Sequence, residues 1–136
     1  MDLRQVAMNH LLSIVLYVWQ LPQNLLGLLV LLIMKPVKLI RDTGYAKVYS
    51  SRRMSGGISL GQYSCISYVS SKNEKTIRHE GIGHARQSRM LGPLYLVVIG
   101  LPSILWAALH NIVAPRKSYY WFYTEAWADS LGGVKR

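Results

Sequence analysis

The sequence predicts a mainly α-helical domain with a small antiparallel β-sheet, an α+β fold. Three observations predict it: two long apolar segments with polar residues or helix breakers near their middles, a β-prone stretch between them, and two shorter stretches with helical spacing of polar residues. At 136 residues the chain has the length of one domain, so residues 1–136 are interpreted as a single unit.

The first apolar segment, residues 11–34, is long enough to cross a bilayer, since a helical span needs about 20 apolar residues. Its middle carries Gln20, Pro22, Gln23 and Asn24, and such groups are costly at the centre of a bilayer. A single span and a hairpin of two short helices both stay open. In either form, the segment is predicted to be membrane-associated.

The stretch at 44–70 is rich in Tyr, Val and Ile, which favour β-strands. Gly56, Gly57 and Gly61 interrupt it and are typical of turns. The pattern predicts two or three short strands in a small antiparallel sheet. Cys65 is the only cysteine, which excludes an internal disulfide and a thiolate metal cluster, and we expect it to be buried.

Residues 74–90 predict a helix, because Ser71 or Asn73 can cap its start and Gly92 with Pro93 would end it.

The second apolar segment, residues 91–114, contains Gly100 and Pro102 near its middle, where they are expected to interrupt a helix. We therefore predict that it is re-entrant and does not span a bilayer. Residues 118–131 predict a second short helix, which a pair of glycines would end.

The charge of the chain indicates an anionic partner, since the formal net charge is +10, with 16 Lys and Arg against 6 Asp and Glu. Eleven of the 16 basic residues lie between the two apolar segments, a pattern typical of the cytoplasmic side of membrane proteins. The sequence shows no RNP, zinc-finger or helix-turn-helix pattern. Membrane lipids are therefore the expected partner, nucleic acid is not expected, and the site is predicted on the cytoplasmic face of a membrane.

The candidate chemistry lies in the HEGIGH stretch from His79 to His84. A zinc hydrolase needs three protein ligands, an open coordination position for water, and a carboxylate that takes the proton of that water. The two histidines are five residues apart, and five steps of a regular α-helix rotate the second about 140° from the first. A π-bulge of one residue would bring both imidazoles to one face, and such bulges are frequent at functional sites.

A second polar pair lies in the last predicted helix. Glu125 and Asp129 are four residues apart and therefore share one helical face. One carboxylate can bind a metal while the other accepts a hydrogen bond from the free nitrogen of a ligating histidine.

The His-Glu pair, Gly83-His84, and the downstream Glu125-x-x-x-Asp129 resemble the gluzincin zinc metallopeptidases, of which thermolysin is the familiar member. Residues 56–134 also resemble small bacterial membrane proteins of unassigned function that carry a HExGH motif.

The resemblance implies a minimal zincin-like fold in which His79, His84 and Glu125 hold Zn²⁺. It implies that Glu80 is the catalytic general base and that Asp129 orients a histidine. A zinc-bound water would then hydrolyse peptide bonds in a peptide or protein substrate. The resemblance further implies that a sheet edge beside the motif aligns that substrate, here the glycine-rich segment 56–61, which precedes the predicted helix 74–90 that carries the motif (the motif helix).

Two alternatives stay open. Glu80 and His84 are four residues apart without any bulge, so Glu80, His84 and Glu125 could form the ligand set, which would leave no general base. The chain could also be a noncatalytic cationic membrane protein with a decayed or purely structural metal site. The metal content of the purified protein distinguishes the peptidase from a chain without a site.

The shared site also constrains topology. If residues 91–114 crossed a bilayer once, Glu125 would lie on the opposite side from His79 and His84. Coordination of one ion by these three residues therefore requires the segment to return to the side on which it began.

Overall fold

The structure, a computed structural model, describes residues 2–136 and is mainly helical, which confirms the predicted α+β class. The helices are α1 (Leu3–Trp19), α2 (Leu21–Met34), α3 (Glu74–Arg78), α4 (Ala85–Leu91), α5 (Leu101–Val113) and α6 (Tyr123–Gly132). The strands are β1 (Lys38–Asp42), β2 (Lys47–Ser51), β3 (Gly57–Leu60) and β4 (Tyr63–Ser67). The main irregular helical segments are two π-helical segments, His79–His84 and Leu96–Gly100, and a 3₁₀ turn at Tyr119–Trp121.

The sheet has the strand order β1-β2-β4-β3 and is mixed. β1 pairs antiparallel with β2, and β3 pairs antiparallel with β4, but β2 and β4 run parallel. The prediction of an antiparallel sheet is therefore wrong for the central pair. The chain forms β3 at the outer edge after it leaves β2, and it returns as β4 beside β2 in the same direction. β1 also lies before the predicted range of the sheet, 44–70.

Two small clusters form the core. Val48 and Ile66 from the sheet pack with Ile77 of α3, and Leu60 of β3 packs with two residues that precede α5, Tyr95 and Ile99. Both clusters lie beside the motif helix. The core therefore fixes the sheet and the motif helix relative to each other.

α1 and α2 form the hairpin that was one of the two open alternatives, since they are bent by 80° at Gln20. The polar residues at the bend are buried against α4. Gln23 Nε2 donates to Ser88 Oγ at 2.9 Å and to the carbonyl oxygen of Gly92 at 2.7 Å, and Ser88 Oγ donates to Gln20 Oε1 at 2.7 Å. Asn24 Oδ1 accepts from the backbone N–H of Gln62 at 2.7 Å. These amides bind the hairpin to the rest of the domain.

The apolar side chains of the hairpin mostly face outward. Residues on both helices are about half exposed or more, among them Leu11, Ile14, Val18, Leu25, Leu29 and Leu32.

The second apolar segment forms one continuous helix, Leu96–Val113, which is long and apolar enough to cross a membrane. Gly100 and Pro102 do not interrupt it, contrary to the prediction. Pro102 cannot donate a hydrogen bond to the carbonyl oxygen of Val98, but the hydroxyl of Tyr123 donates to that oxygen at 2.6 Å. Only 17% of the residues of this helix are buried.

After α5 the chain turns back along the same helix. The indole nitrogen of Trp106 donates to the carbonyl oxygen of Tyr119 at 2.7 Å, and α6 then packs beside the motif helix. The segment that contains α5 therefore returns the chain to the region of the first histidine.

Candidate metal centre

The motif helix contains the predicted bulge. Asn73 is one of the two residues predicted to cap this helix. Its side chain caps α3 by accepting a hydrogen bond from the backbone N–H of Thr76 at 3.2 Å. The whole stretch from His79 to His84 is π-helical, between α3 and α4. Its i→i+5 hydrogen bonds widen the turn, so residues five apart share a face. The two imidazole rings lie 4.7 Å apart between centroids.

Glu125, in the first turn of α6, completes the cluster. Its Oε1 atom lies 3.3 Å from His84 Nε2 and 3.6 Å from His79 Nε2. One ligand atom from each residue lies within 4.8 Å of the other two, and the three residues are at most 4% exposed. This buried group could hold a metal ion.

The hydrogen bonds of His79 fit a metal ligand. Its Nδ1 atom lies 2.6 Å from Asp129 Oδ1, and a protonated Nδ1 donates to that carboxylate. The lone pair is then on Nε2, which is buried and has no hydrogen-bond partner within residues 2–136. A buried nitrogen without a partner is destabilising unless an ion or another group binds it. Glu125 and Asp129 therefore take the two roles that their spacing predicted. The Glu125 carboxylate belongs to the cluster, and the Asp129 carboxylate contacts the second ring nitrogen of His79.

Gln87 supports His84 in the same way, although it was not among the residues predicted for the site. His84 Nδ1 lies 2.6 Å from Gln87 Oε1, while Gln87 Nε2 donates to the carbonyl oxygen of Thr124 at 2.9 Å. The second bond fixes the amide so that its oxygen faces the histidine. His84 therefore presents Nε2 to the cluster. A helical spacing of three residues was the only signal for this contact.

Glu80 is not part of the metal-binding group, which argues against the ligand set of Glu80, His84 and Glu125. Its carboxylate is buried and accepts from Ser59 Oγ at 2.6 Å. Glu80 also lines a cavity of about 80 Å³ together with His84 and Glu125. Gly57 permits this position, since a Cβ atom there would lie 2.8 Å from Glu80 Oε1.

Three hydroxyl groups surround Glu125. Tyr119 donates to Oε1 at 3.0 Å, while Ser103 and Thr124 donate to Oε2 at 3.2 and 2.9 Å. Burial and the charge of Glu125 raise the pKa of the Tyr119 phenol well above its usual range, so this group remains a donor. These contacts could not be found from the sequence, because Tyr119 and Ser103 belong to no motif.

The far side of Asp129 is bound by Arg136. The guanidinium donates to both carboxylate oxygens at 2.9 and 3.0 Å and stacks on the ring of Tyr120, which packs edge-on against His79. Burial tends to raise the pKa of Asp129, but the bonds with Arg136 and His79 lower it. An ionised carboxylate is thereby kept behind the histidine.

In the metal-free protein, His84 and Glu125 form an ion pair within the ligand cluster. Burial tends to lower the pKa of His84, but its bond with Glu125 and the charge of Glu80 raise it to about 9. Burial tends to raise the pKa of Glu125, but its hydrogen bond with protonated His84 holds it well below its usual range. A metal that binds here must therefore displace a proton from His84.

The glycines of the motif permit close packing. A Cβ atom at Gly83 would lie 2.1 Å from the carbonyl oxygen of Ala128, and one at Gly81 would lie 2.4 Å from Val48 Cγ2. Gly83 therefore lets α6 approach the π-helical segment, and Gly81 lets the sheet approach it from another side.

Replacement of Gly83 by Ala is expected to lower the free energy of unfolding by about 1 to 3 kcal/mol, because α6 must move away from the added methyl group. Denaturant unfolding followed by circular dichroism measures the change. Gly100→Ala is the matched control, because its nearest heavy atom would be 3.7 Å away. Equal destabilisation by both substitutions would contradict the close-packing explanation.

The structure thus brings together all five residues predicted for the site, His79, Glu80, His84, Glu125 and Asp129. The return of the chain after α5 brings Glu125 to the two histidines. Comparisons of the chain with protein-family models, with curated proteins and with solved structures found no match.

Proposed function

We propose that this protein is a membrane-associated zinc metallopeptidase of gluzincin-like type. One observation carries the proposal. Two imidazoles and a carboxylate converge in a buried group, and the second nitrogen of each imidazole is already bound by an acceptor, Asp129 for His79 and Gln87 for His84. Such outer partners orient histidine ligands in metalloenzymes.

Zinc is the metal that this donor set favours. Two histidines and one glutamate with an open fourth position are typical of catalytic zinc sites. Zinc bonds of about 2.0 to 2.1 Å at tetrahedral angles place neighbouring ligand atoms about 3.4 Å apart. The two distances to Glu125 Oε1, 3.3 and 3.6 Å, agree with this value.

Glu80 is the proposed general base. When bound, zinc would supply a Lewis acid that makes a water molecule acidic near neutral pH. Glu80 lies in the cavity next to His84 and would take the proton of the attacking water and pass it to the leaving amine. Ser59 holds one carboxylate oxygen and so restricts the orientation of this group. Tyr119 lines the same cavity, and its hydroxyl donates to Glu125 Oε1 and so would hold that ligand in place.

β3 is the proposed alignment strand for the substrate. It is an edge strand and lines the cavity, as do Glu80, His84 and Glu125. The N–H of Ser67 donates to the carbonyl oxygen of Gly56 at 2.8 Å, so the alternation of an antiparallel ladder turns the peptide groups of Gly57 away from β4. An extended peptide could pair with the groups of Gly57, whereas the carbonyl oxygen of Ser59 already accepts from the Tyr95 hydroxyl at 2.7 Å.

Membrane association is supported by the exposed apolar faces of α1, α2 and α5. Contiguous apolar surfaces of this extent mark interaction sites. The chain also carries a net charge of +10, which suits anionic lipid headgroups. We propose that membrane lipids contact these helices and that the site lies on the cytoplasmic face, where basic residues accumulate.

Zinc analysis tests the proposal. We expect purified protein to contain about one zinc per chain and to hydrolyse peptides, and His84→Ala to lose both properties. His10→Ala is the control, because His10 is exposed on α1 and far in sequence from the cluster. Absence of zinc from both the original protein and the variants would contradict the proposal. Zinc without hydrolysis would favour the noncatalytic membrane protein with a structural metal site.

A further inference from the structure

The cavity beside the metal ligands has two unlike walls. One is β3, Gly57–Leu60, and the other is a face of the α5 region. Gly100, Ser103, Ile104 and Ala107 form this second wall. Their spacing of three, one and three residues places them on one side of the helix. The cavity is therefore a groove between an edge strand and the helix that is long and apolar enough to span a membrane.

The helical wall is also part of the exposed apolar surface. Ile104 lines the groove and is nevertheless 54% exposed, and its neighbours Leu101 and Leu105 are 56% and 51% exposed. One rim of the groove thus belongs to the surface that we propose contacts lipids. A polypeptide can reach the metal ligands over this rim without leaving the membrane surface.

We infer that the substrate is a membrane-anchored polypeptide that enters between β3 and α5 and is cleaved close to its anchor. This inference rests on the proposed peptidase function. Three of the four residues on the helical wall are small, and the peptide groups of Gly57 on the edge strand β3 face away from β4 and could pair with a substrate. Two of the proposed metal ligands, His84 and Glu125, line the same groove, as does Glu80.

The first test compares two anchored peptide libraries in vesicles of phosphatidylcholine and phosphatidylglycerol that also hold the zinc-loaded protein. In one library a random segment directly adjoins an apolar transmembrane helix. In the other, a spacer of about 15 Gly and Ser residues, roughly 20 Å in mean length, separates the two. Both are equally concentrated in the membrane. We expect the adjoining library to be cleaved at least as fast as the spaced one, with mass spectrometry locating the cut. Faster cleavage of the spaced library would overturn the inference.

The second test fills the groove. Ala107→Trp is expected to reduce cleavage of the adjoining library roughly tenfold or more, because the indole would displace the substrate chain. Zinc content should not change, since Ala107 is not a ligand. Ala108→Trp is the matched control, because Ala108 is exposed and does not line the groove. Unchanged cleavage by Ala107→Trp would show that the substrate does not bind in this groove.

The third test does not depend on hydrolysis. A photoreactive benzoylphenylalanine at position 104, in a chain that also carries Glu80→Gln, should cross-link the adjoining library. If the probe links it but the unsubstituted protein cleaves neither library, the peptidase proposal fails and the groove remains a binding site for anchored chains. If the libraries are cleaved but the probe links neither, the substrate does not bind in the groove, and the peptidase proposal stands.

Discussion

Replacement of Glu80 by Gln is expected to reduce peptide hydrolysis by a factor on the order of 10² to 10⁴, while about one zinc per chain stays bound. The amide has nearly the same size as the carboxylate and can still accept a hydrogen bond from Ser59. It cannot take a proton from water at neutral pH. Catalysis should therefore fail although the ligand cluster of His79, His84 and Glu125 is intact.

Steady-state hydrolysis and elemental analysis of the same preparation measure the two properties. Glu74→Gln is the matched control, because Glu74 is exposed and pairs with Arg41 at 2.7 Å, away from the site. It should retain full hydrolysis. If Glu80→Gln loses its zinc, Glu80 is a ligand, and the set of Glu80, His84 and Glu125 is the correct one.

Removal of the metal by a chelator is expected to lower the free energy of unfolding by about 4 kcal/mol, compared with protein at free zinc 1,000 times above Kd. An ion that binds only the folded chain stabilises it by mass action. The chain should still unfold cooperatively without metal. His84, with a pKa of about 9, is then charged at neutral pH and pairs with Glu125, so the buried carboxylate keeps a partner.

Thermal unfolding in detergent micelles, with excess zinc or excess chelator, measures this difference. His84→Ala should unfold at the same temperature under both conditions, whereas Glu80→Gln should respond as the original chain does. A response of equal size in His84→Ala would show that the metal acts elsewhere on the protein.

The two halves of the ligand cluster were predictable because each depends on local periodicity, whereas the meeting of the two helices was implied only by the resemblance to the gluzincins. Two histidines five residues apart can share a face only in a π-helical turn, and Glu125 with Asp129 follows the ordinary spacing of an α-helix. These relations need no knowledge of the tertiary structure. The structure accordingly has a π-helical segment at His79–His84.

The residues around the cluster were not predictable, because their contacts depend on the tertiary structure. Ser59 and Tyr119 reach the site from distant segments, and a serine or tyrosine in a sequence has many possible roles. The parallel pairing of β2 and β4 was missed because alternation of residues reveals strands but not their order. β1 was missed because its sequence, KLIRD, looks like the basic flank of an apolar segment.

The amides at the bend between α1 and α2 determine which insertion into a lipid bilayer is energetically possible. Straightening the pair into one span would detach Gln20, Gln23 and Asn24 from Ser88, Gly92 and Gln62 and place them in hydrocarbon. Each unsatisfied amide would cost on the order of several kcal/mol there. The hydrogen bonds of three amide side chains therefore favour the bent hairpin over one straight helix.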